Sequence, residues 1–359
     1  MQFRKAPFLV GLLFVSVSSF SQGLGIPSKK GVIGFGNLPV FTGVRFNFVD
    51  KNVEKVNGIN VTVWQTKDES LQSGTVNGIS LGLPLAMGSQ NKNGIGVGIF
   101  GVAATKNLAG VNIGGLGVGA GGNVTGLNVG GLGIGSGGNL KGINIGGLGA
   151  GSGGDVYGVN IGGLGIGAGG DLVGFSFGGL GVGGGDDISG ISFGGLGVGA
   201  GGDIKGISFG GLGVGAGKSV KGFAAALLGV GAGKELKGII VSGLAAGSPK
   251  VSALAIAPLV GGERVQGFII APAHLLVGGN KKFRHEEVTT TEVNGLFKGV
   301  SISAYNKING QLNGVSFGVV NYTQRIKGVQ FGLINIVKEN PKGLRVLPFF
   351  NMRFGKKGQ

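Results

Sequence analysis

Glycine recurs every sixteen residues through the middle of this chain, at Gly110, Gly126, Gly142, Gly158, Gly174, Gly190, Gly206, Gly222 and Gly238, and Gly78 and Gly94 continue the series upstream. A period held this strictly signals stacked or closed supersecondary units, so the architecture has to follow from the repeat. One unit reads Gly142-Ile143-Asn144-Ile145-Gly146-Gly147-Leu148-Gly149-Ala150-Gly151-Ser152-Gly153-Gly154-Asp155-Val156-Tyr157. Glycine supplies 86 of the 359 residues, but there is no Gly-X-Y triplet and proline is scarce, which excludes collagen. The 42% hydrophobic content is too high for a disordered linker.

Two glycine-containing dipeptides divide each unit. Gly-Gly, as at Gly130-Gly131 and Gly146-Gly147, suits a type I′ turn; Gly-Asn or Gly-Asp, as at Gly138-Asn139 and Gly154-Asp155, suits type II′. Strands of about six residues remain between them, so each unit is expected to be an antiparallel hairpin. Val129 should then pair with Leu132 and Leu127 with Ile134. In the next unit Lys141, Ile143, Ile145, Leu148, Ala150 and Ser152 would share one face, leaving Leu140, Gly142, Asn144, Gly149, Gly151 and Gly153 on the other. One face is aliphatic and the other mostly glycine.

The expected fold is therefore all-β, a wide, shallow antiparallel barrel of short hairpins, because closure removes the raw edges of a long meander. The alternative is a β-solenoid with one repeat per coil. Its coils would stack Asp155, Asp171, Asp187 and Asp203, and likewise Lys205, Lys221 and Lys237, about 4.8 Å apart as like-charge ladders, which argues for the barrel. Such strands span about 20 Å, whereas a membrane-spanning strand needs ~9–11 residues, so this barrel could sit in a membrane only by thinning it.

Gly328-Val329-Gln330-Phe331-Gly332-Leu333-Ile334-Asn335 and Gly314-Val315-Ser316-Phe317-Gly318-Val319-Val320-Asn321 resemble the glycine-punctuated units of Gram-negative surface-repeat proteins. The repeats over residues 58–354 also resemble the β-flower, a shallow barrel of radiating hairpins. The resemblance implies an exported β-repeat protein and transfers no activity and no functional residue.

Residues 1–21 read as a signal peptide: basic Arg4 and Lys5, apolar Phe8 to Val17, then Ser19-Phe20-Ser21 before Gln22. Residues 22–57 read as lead-in strands, 58–250 as the sixteen-residue repeats, 251–354 as divergent repeats closing the same barrel, and 355–359 as a basic tail. With no Cys there is no disulfide framework and no thiolate metal site. The net charge of +16 is scattered and lacks the basic stripe with interleaved aromatics of a nucleic-acid binder; anionic lipid or glycan surfaces fit an exported chain better.

The motifs that suggest chemistry weaken on inspection. Gly213-Val214-Gly215-Ala216-Gly217-Lys218-Ser219 resembles a phosphate-binding loop, but Leu212 stands where its first glycine belongs. His285-Glu286-Glu287 lacks the second His of a zinc helix, Thr289 standing there, and reads as a solvated loop; His274 sits alone in an apolar stretch. The turn aspartates suggest a calcium-binding β-roll, but Gly, Ala or Ser stands where its Asp ligands belong, and the Asp residues suit turns by themselves. Asn123-Val124-Thr125 and Asn321-Tyr322-Thr323 match glycosylation sequons. Phe349, Phe350, Met352 and Phe354 resemble the last strand of an outer-membrane barrel, except that Phe354 is not terminal.

No convergent acid, base, nucleophile or metal set is evident, so the expectation is a non-enzymatic protein without cofactor, nucleotide or nucleic-acid partner. The reading is an exported protein of the outer membrane or cell surface, held to membrane lipid through an aliphatic face, with Lys141, Ile143, Ile145 and Leu148 as candidate membrane-facing residues. Its alternatives are a barrel carrying lipids or other apolar ligands, plugged or open, and a secreted solenoid binding calcium, ice or glycans. The direction in which the aliphatic face points decides among them.

Overall fold

The computed structural model describes residues 23–279 and 295–353. It divides into two compact units, Met1–Leu164 and Gly165–Gln359. The signal peptide, His285-Glu286-Glu287, Phe354 and the basic tail lie outside the described residues.

Each sixteen-residue unit is one coil of a parallel β-solenoid. In the first compact unit a coil consists of the strand Leu140–Gly146, a corner at Gly147-Leu148, the short strand Gly149–Ser152 and a second corner at residues 153–155, after which Val156–Gly162 begins the next coil. Pairing is parallel and advances by one repeat: Leu127 lies beside Ile143, Val129 beside Ile145 and Ile134 beside Ala150. The expected hairpin pairs, Val129 with Leu132 and Leu127 with Ile134, do not form. The antiparallel barrel, and the β-flower likeness that went with it, are therefore wrong for this chain, and the solenoid is the fold. The corners also bond coil to coil, with Leu148 N donating to Leu132 O at 2.6 Å and Gly154 N to Gly138 O at 2.9 Å.

The glycine series has a steric cause. Gly142 has φ +114°, a region open to glycine and costly for other residues. A Cβ there would lie 2.1 Å from the carbonyl oxygen of Gly126, the matching glycine of the preceding coil. The expected turn glycine Gly146 does not have positive φ; it is held by space, since its Cβ would lie 2.0 Å from Gly149 O.

The interior is only three columns wide. Leu108, Val124, Leu140 and Val156 form one aliphatic column, and Val102, Val118, Ile134 and Ala150 the facing one; all are buried. Between them runs a ladder of buried asparagines, in which Asn112 Nδ2 donates to Asn128 Oδ1 at 2.9 Å, Asn128 to Asn144 at 2.9 Å and Asn144 to Asn160 at 2.8 Å. In the second unit Leu172, Ile188, Ile204, Val220 and Leu236 continue the first pattern, while Ser176, Ser192, Ser208, Ala224 and Ile240 fill the central column.

The like-charge objection fails because neighbouring columns interleave. Lys205 Nζ lies 2.7 Å from Asp187 and 3.7 Å from Asp203, and Lys221 Nζ lies 3.0 Å from Asp203. Turn carboxylates also accept the backbone N–H of the next coil: Asp187 N donates to Asp171 Oδ1 at 3.0 Å, Asp203 N to Asp187 Oδ1 at 2.8 Å and Ser219 N to Asp203 Oδ1 at 3.0 Å. Asparagine does the same in the first unit, where Asn139 N donates to Asn123 Oδ1 at 2.8 Å. These bonds, with Asp203 N–H first and Lys205 second, hold the Asp187 carboxyl below its ordinary pKa.

The terminal regions depart from the regular repeat. The first unit opens with an antiparallel pair, Leu24–Ser28 on Gly31–Phe35, before parallel strands Val40–Val49, Lys55–Trp64 and Thr75–Gly82. In the second, the divergent region forms longer parallel strands, Arg264–Val277, Gly295–Phe317 and Val320–Val337, and not closing hairpins. Val346–Met352 then packs antiparallel on Val320–Val337. Reversing strand direction at the last coil makes that edge a poor template for another parallel coil.

Gly142→Ala should destabilise the protein by about 2 kcal/mol or more, from the strained φ and the contact with the preceding carbonyl. Gly135→Ala, where a Cβ would meet nothing within 4 Å, should stay within about 0.5 kcal/mol of wild type. Urea unfolding midpoints of the two variants check this pair.

Candidate functional site

Alternation along each long strand decides what the protein shows to its surroundings. Leu140, Asn144 and Gly146 point inward, so Lys141, Ile143 and Ile145 point outward, and Leu148 stands on the corner beside them. Ile143 is 46% exposed, Ile145 38% and Leu148 50%. All four candidate residues thus lie on one outward surface. Ala150, expected on that face, is instead buried, because the corner replaces a hairpin turn and resets the alternation.

Parallel stacking turns each position into a column. In the first unit these run Ile95 to Val159, Val97 to Ile161 and, on the corner, Phe100 to Leu164. At about 4.8 Å per coil and 20 Å along the strands, the apolar patch covers roughly 400 Å². In the second unit Ile191, Ile207 and Ile239, then Phe177, Phe193 and Phe209, then Leu180, Leu196, Leu212 and Leu228 form the matching columns. The rings of Phe193 and Phe209 stack with centroids 4.9 Å apart. Contiguous apolar surface of this extent is a candidate interaction surface.

Lysines border the columns. Lys141 places its ammonium 5.2 Å from the ring centroid of Tyr157, whose hydroxyl donates to Asp155 at 3.0 Å. Lys205, Lys221 and Lys237 occupy the same position in the second unit. The short-strand face differs: its outward positions, such as Gly133 and Gly135, are glycines, and it carries almost no side chains.

The remaining sequence candidates resolve into structure. Gly213–Ala216 is a strand and Ser219 begins another, so Lys218-Ser219 lies at no helix N-terminus. Asn321 of the second sequon is buried and donates to Asn335 Oδ1 at 2.8 Å. His274 packs on Tyr305 with centroids 4.8 Å apart, and burial lowers its pKa.

One charged cluster escaped the sequence reading. Arg45 and Asp50 are fully buried in the first unit and paired through Arg45 Nη2 and Asp50 Oδ1. Arg45 Nε donates to Asn60 Oδ1 at 2.9 Å and Nη1 to Leu38 O at 2.6 Å, while Asn60 and Thr62 donate to Asp50 Oδ2 at 2.8 and 2.9 Å. Lys92 enters the core in the column otherwise held by Val76 and Leu108, and its Nζ has no hydrogen-bond partner among the described residues. Burial pushes the Lys92 ammonium down to about 8, opposed in part by Asp50. The signal was a lysine at a core position of the period.

A buried ammonium with a folded pKa below its unfolded one costs stability while protonated, and the cost fades as pH rises from about 8 toward the unfolded value. Lys92→Met should therefore stabilise the protein at pH 7 by about 3 kcal/mol, with the gain shrinking as pH rises to 10. Denaturant unfolding of both proteins across that range measures it.

No family model, no curated protein and no solved structure matches the chain.

Proposed function

We propose that this is a non-enzymatic bacterial envelope protein of the surface-repeat kind, which lies on the outer membrane through its aliphatic solenoid face. The observation that carries this reading is the outward direction of Ile143, Ile145 and Leu148 and of the columns they belong to. Lipid penalises unsatisfied backbone groups heavily, but the long strands of the regular repeats, such as Leu140–Gly146, are paired on both sides by neighbouring coils. The face can thus enter the acyl boundary at the cost of side-chain contacts with water alone. Roughly 400 Å² of apolar surface at ~25 cal/mol per Å² is worth about 10 kcal/mol per unit before the costs of binding, enough for stable peripheral attachment.

The lysine columns fit the same reading, since long basic side chains at the rim of an apolar band reach head groups and favour anionic lipid. A calcium-binding solenoid would need free carboxylates at its corners, whereas Asp187 and Asp203 are engaged by lysines and backbone N–H groups. A ligand-carrying barrel loses its support with the antiparallel pairing.

Co-sedimentation with vesicles containing phosphatidylglycerol tests the reading. Wild type should pellet with vesicles, and the triple variant Ile143→Asp, Ile145→Asp, Leu148→Asp should bind at least about tenfold more weakly while keeping its β-type circular dichroism. Gly149→Asp, on the side-chain-poor face, should bind like wild type. Wild-type protein that stays in the supernatant, or a triple variant that pellets equally well, would sink the proposal.

A further inference from the structure

The phenylalanine column of the second unit stops after three coils, at a small residue. Phe177, Phe193, Phe209, Ala225 and Val241 occupy successive coils at the same register position. A groove of about 630 Å³ runs past Ala225, where the ring is missing. The phenylalanine rings form one wall, the pairs Gly194-Gly195 and Gly210-Gly211 form the floor, and Leu227 rises from that floor at a position where sister coils have glycine. Five coils at about 4.8 Å spacing give the groove a length of roughly 19 Å.

We propose that this groove holds one acyl chain of an anionic membrane lipid, a reading that rests on the membrane association proposed above. Its lining has nothing to offer a polar ligand. Ser242, the one hydroxyl, donates to Leu228 O at 3.0 Å, and the floor amides donate to the preceding coil, Gly195 N to Gly178 O and Gly211 N to Gly194 O. The occupant is therefore apolar along its whole length. The groove volume suits a small ligand, and its length of roughly 19 Å across five coils suits an extended chain. Charge selects the head group. Lys237 lies four residues before Val241 on the same outward face, about 13 Å along the strands, and Lys221, paired with Asp203, stands beside it in the same column. The protein carries a net charge of +16. A lipid seated here would register the solenoid on the membrane at a defined coil, beyond the general attraction of its aliphatic face.

Two variants return the site to residues the repeat already accommodates: Ala225→Phe fills the groove, and Leu227→Gly removes the rise. Calorimetric titration with dodecyl phosphate, a single-chain anion kept below its micelle concentration, reads the site directly. Wild type should bind with a negative heat-capacity change, each variant at least tenfold more weakly, and dodecyltrimethylammonium at least tenfold more weakly than the phosphate. Equal binding of dodecyl phosphate by wild type and Ala225→Phe, no binding by wild type, or equal binding of the two amphiphiles would overturn the proposal. Vesicle co-sedimentation separates the two readings. Wild type that binds dodecyl phosphate but no vesicles supports the groove and removes the membrane face; proteins that all pellet alike while dodecyl phosphate binding is unaffected by Ala225→Phe remove the groove alone.

Discussion

Each coil approaches the one before it so closely at the Gly142 column that a single methyl group would strike a carbonyl oxygen, and the rest of the molecule is arranged around that approach. The contact recurs from Gly78 onward in the first unit and along Gly190, Gly206, Gly222 and Gly238 in the second, with positive φ at each position. It fixes the register of neighbouring coils, because a shift by one residue would put Ile143 or Lys141 where only glycine fits. Register in turn brings like residues together. Asparagine then meets asparagine, and the buried amides satisfy one another along the axis instead of needing partners across the core.

The same register leaves little room inside. A coil whose interior is an aliphatic column, a polar column and a second aliphatic column can bury about three side chains, and the repeat carries more apolar residues than that. Ile143, Ile145 and Leu148 are the excess, and they face outward because the asparagine ladder and the corner glycines occupy the inside. Exposed columns are thus a direct result of the slim core. Bilayer contact is the use proposed for them, one that leaves the backbone bonds between coils intact, and the groove proposed at Ala225 would be a local refinement of the same surface.

Much of this was legible in the residues. The period, the all-β class, and the grouping of Lys141, Ile143, Ile145 and Leu148 on one face follow from spacing and alternation, which antiparallel hairpins and parallel coils share along the long strand. For the same reason that strand could not separate the two folds. Taken one at a time, the Asp and Lys columns argue against stacking; in three dimensions they alternate as Asp187, Lys205, Asp203 and Lys221, and repulsion becomes pairing. Ala150 was misplaced because the corner at Gly147-Leu148 turns the chain without folding it back. Lys92 and Ala225 were both visible as single departures from the period, one polar residue in a core column and one small residue in an aromatic column. What each departure does depends on neighbours sixteen residues away, and these became neighbours only once the pairing was known.

A paired-cysteine experiment tests directly whether the coils stack at sixteen-residue spacing with the aliphatic side chains outside, because the chain has no cysteine of its own. In the variant carrying Leu127→Cys and Ile143→Cys, parallel pairing puts the two Cα atoms about 4.8 Å apart, within disulfide range. Mild oxidation should close the bond in nearly all molecules, and a membrane-impermeant reductant should reopen it in the folded protein. Free thiols after oxidation would contradict the coil stacking, and a bond that forms but resists the reductant until unfolding would place these side chains inside.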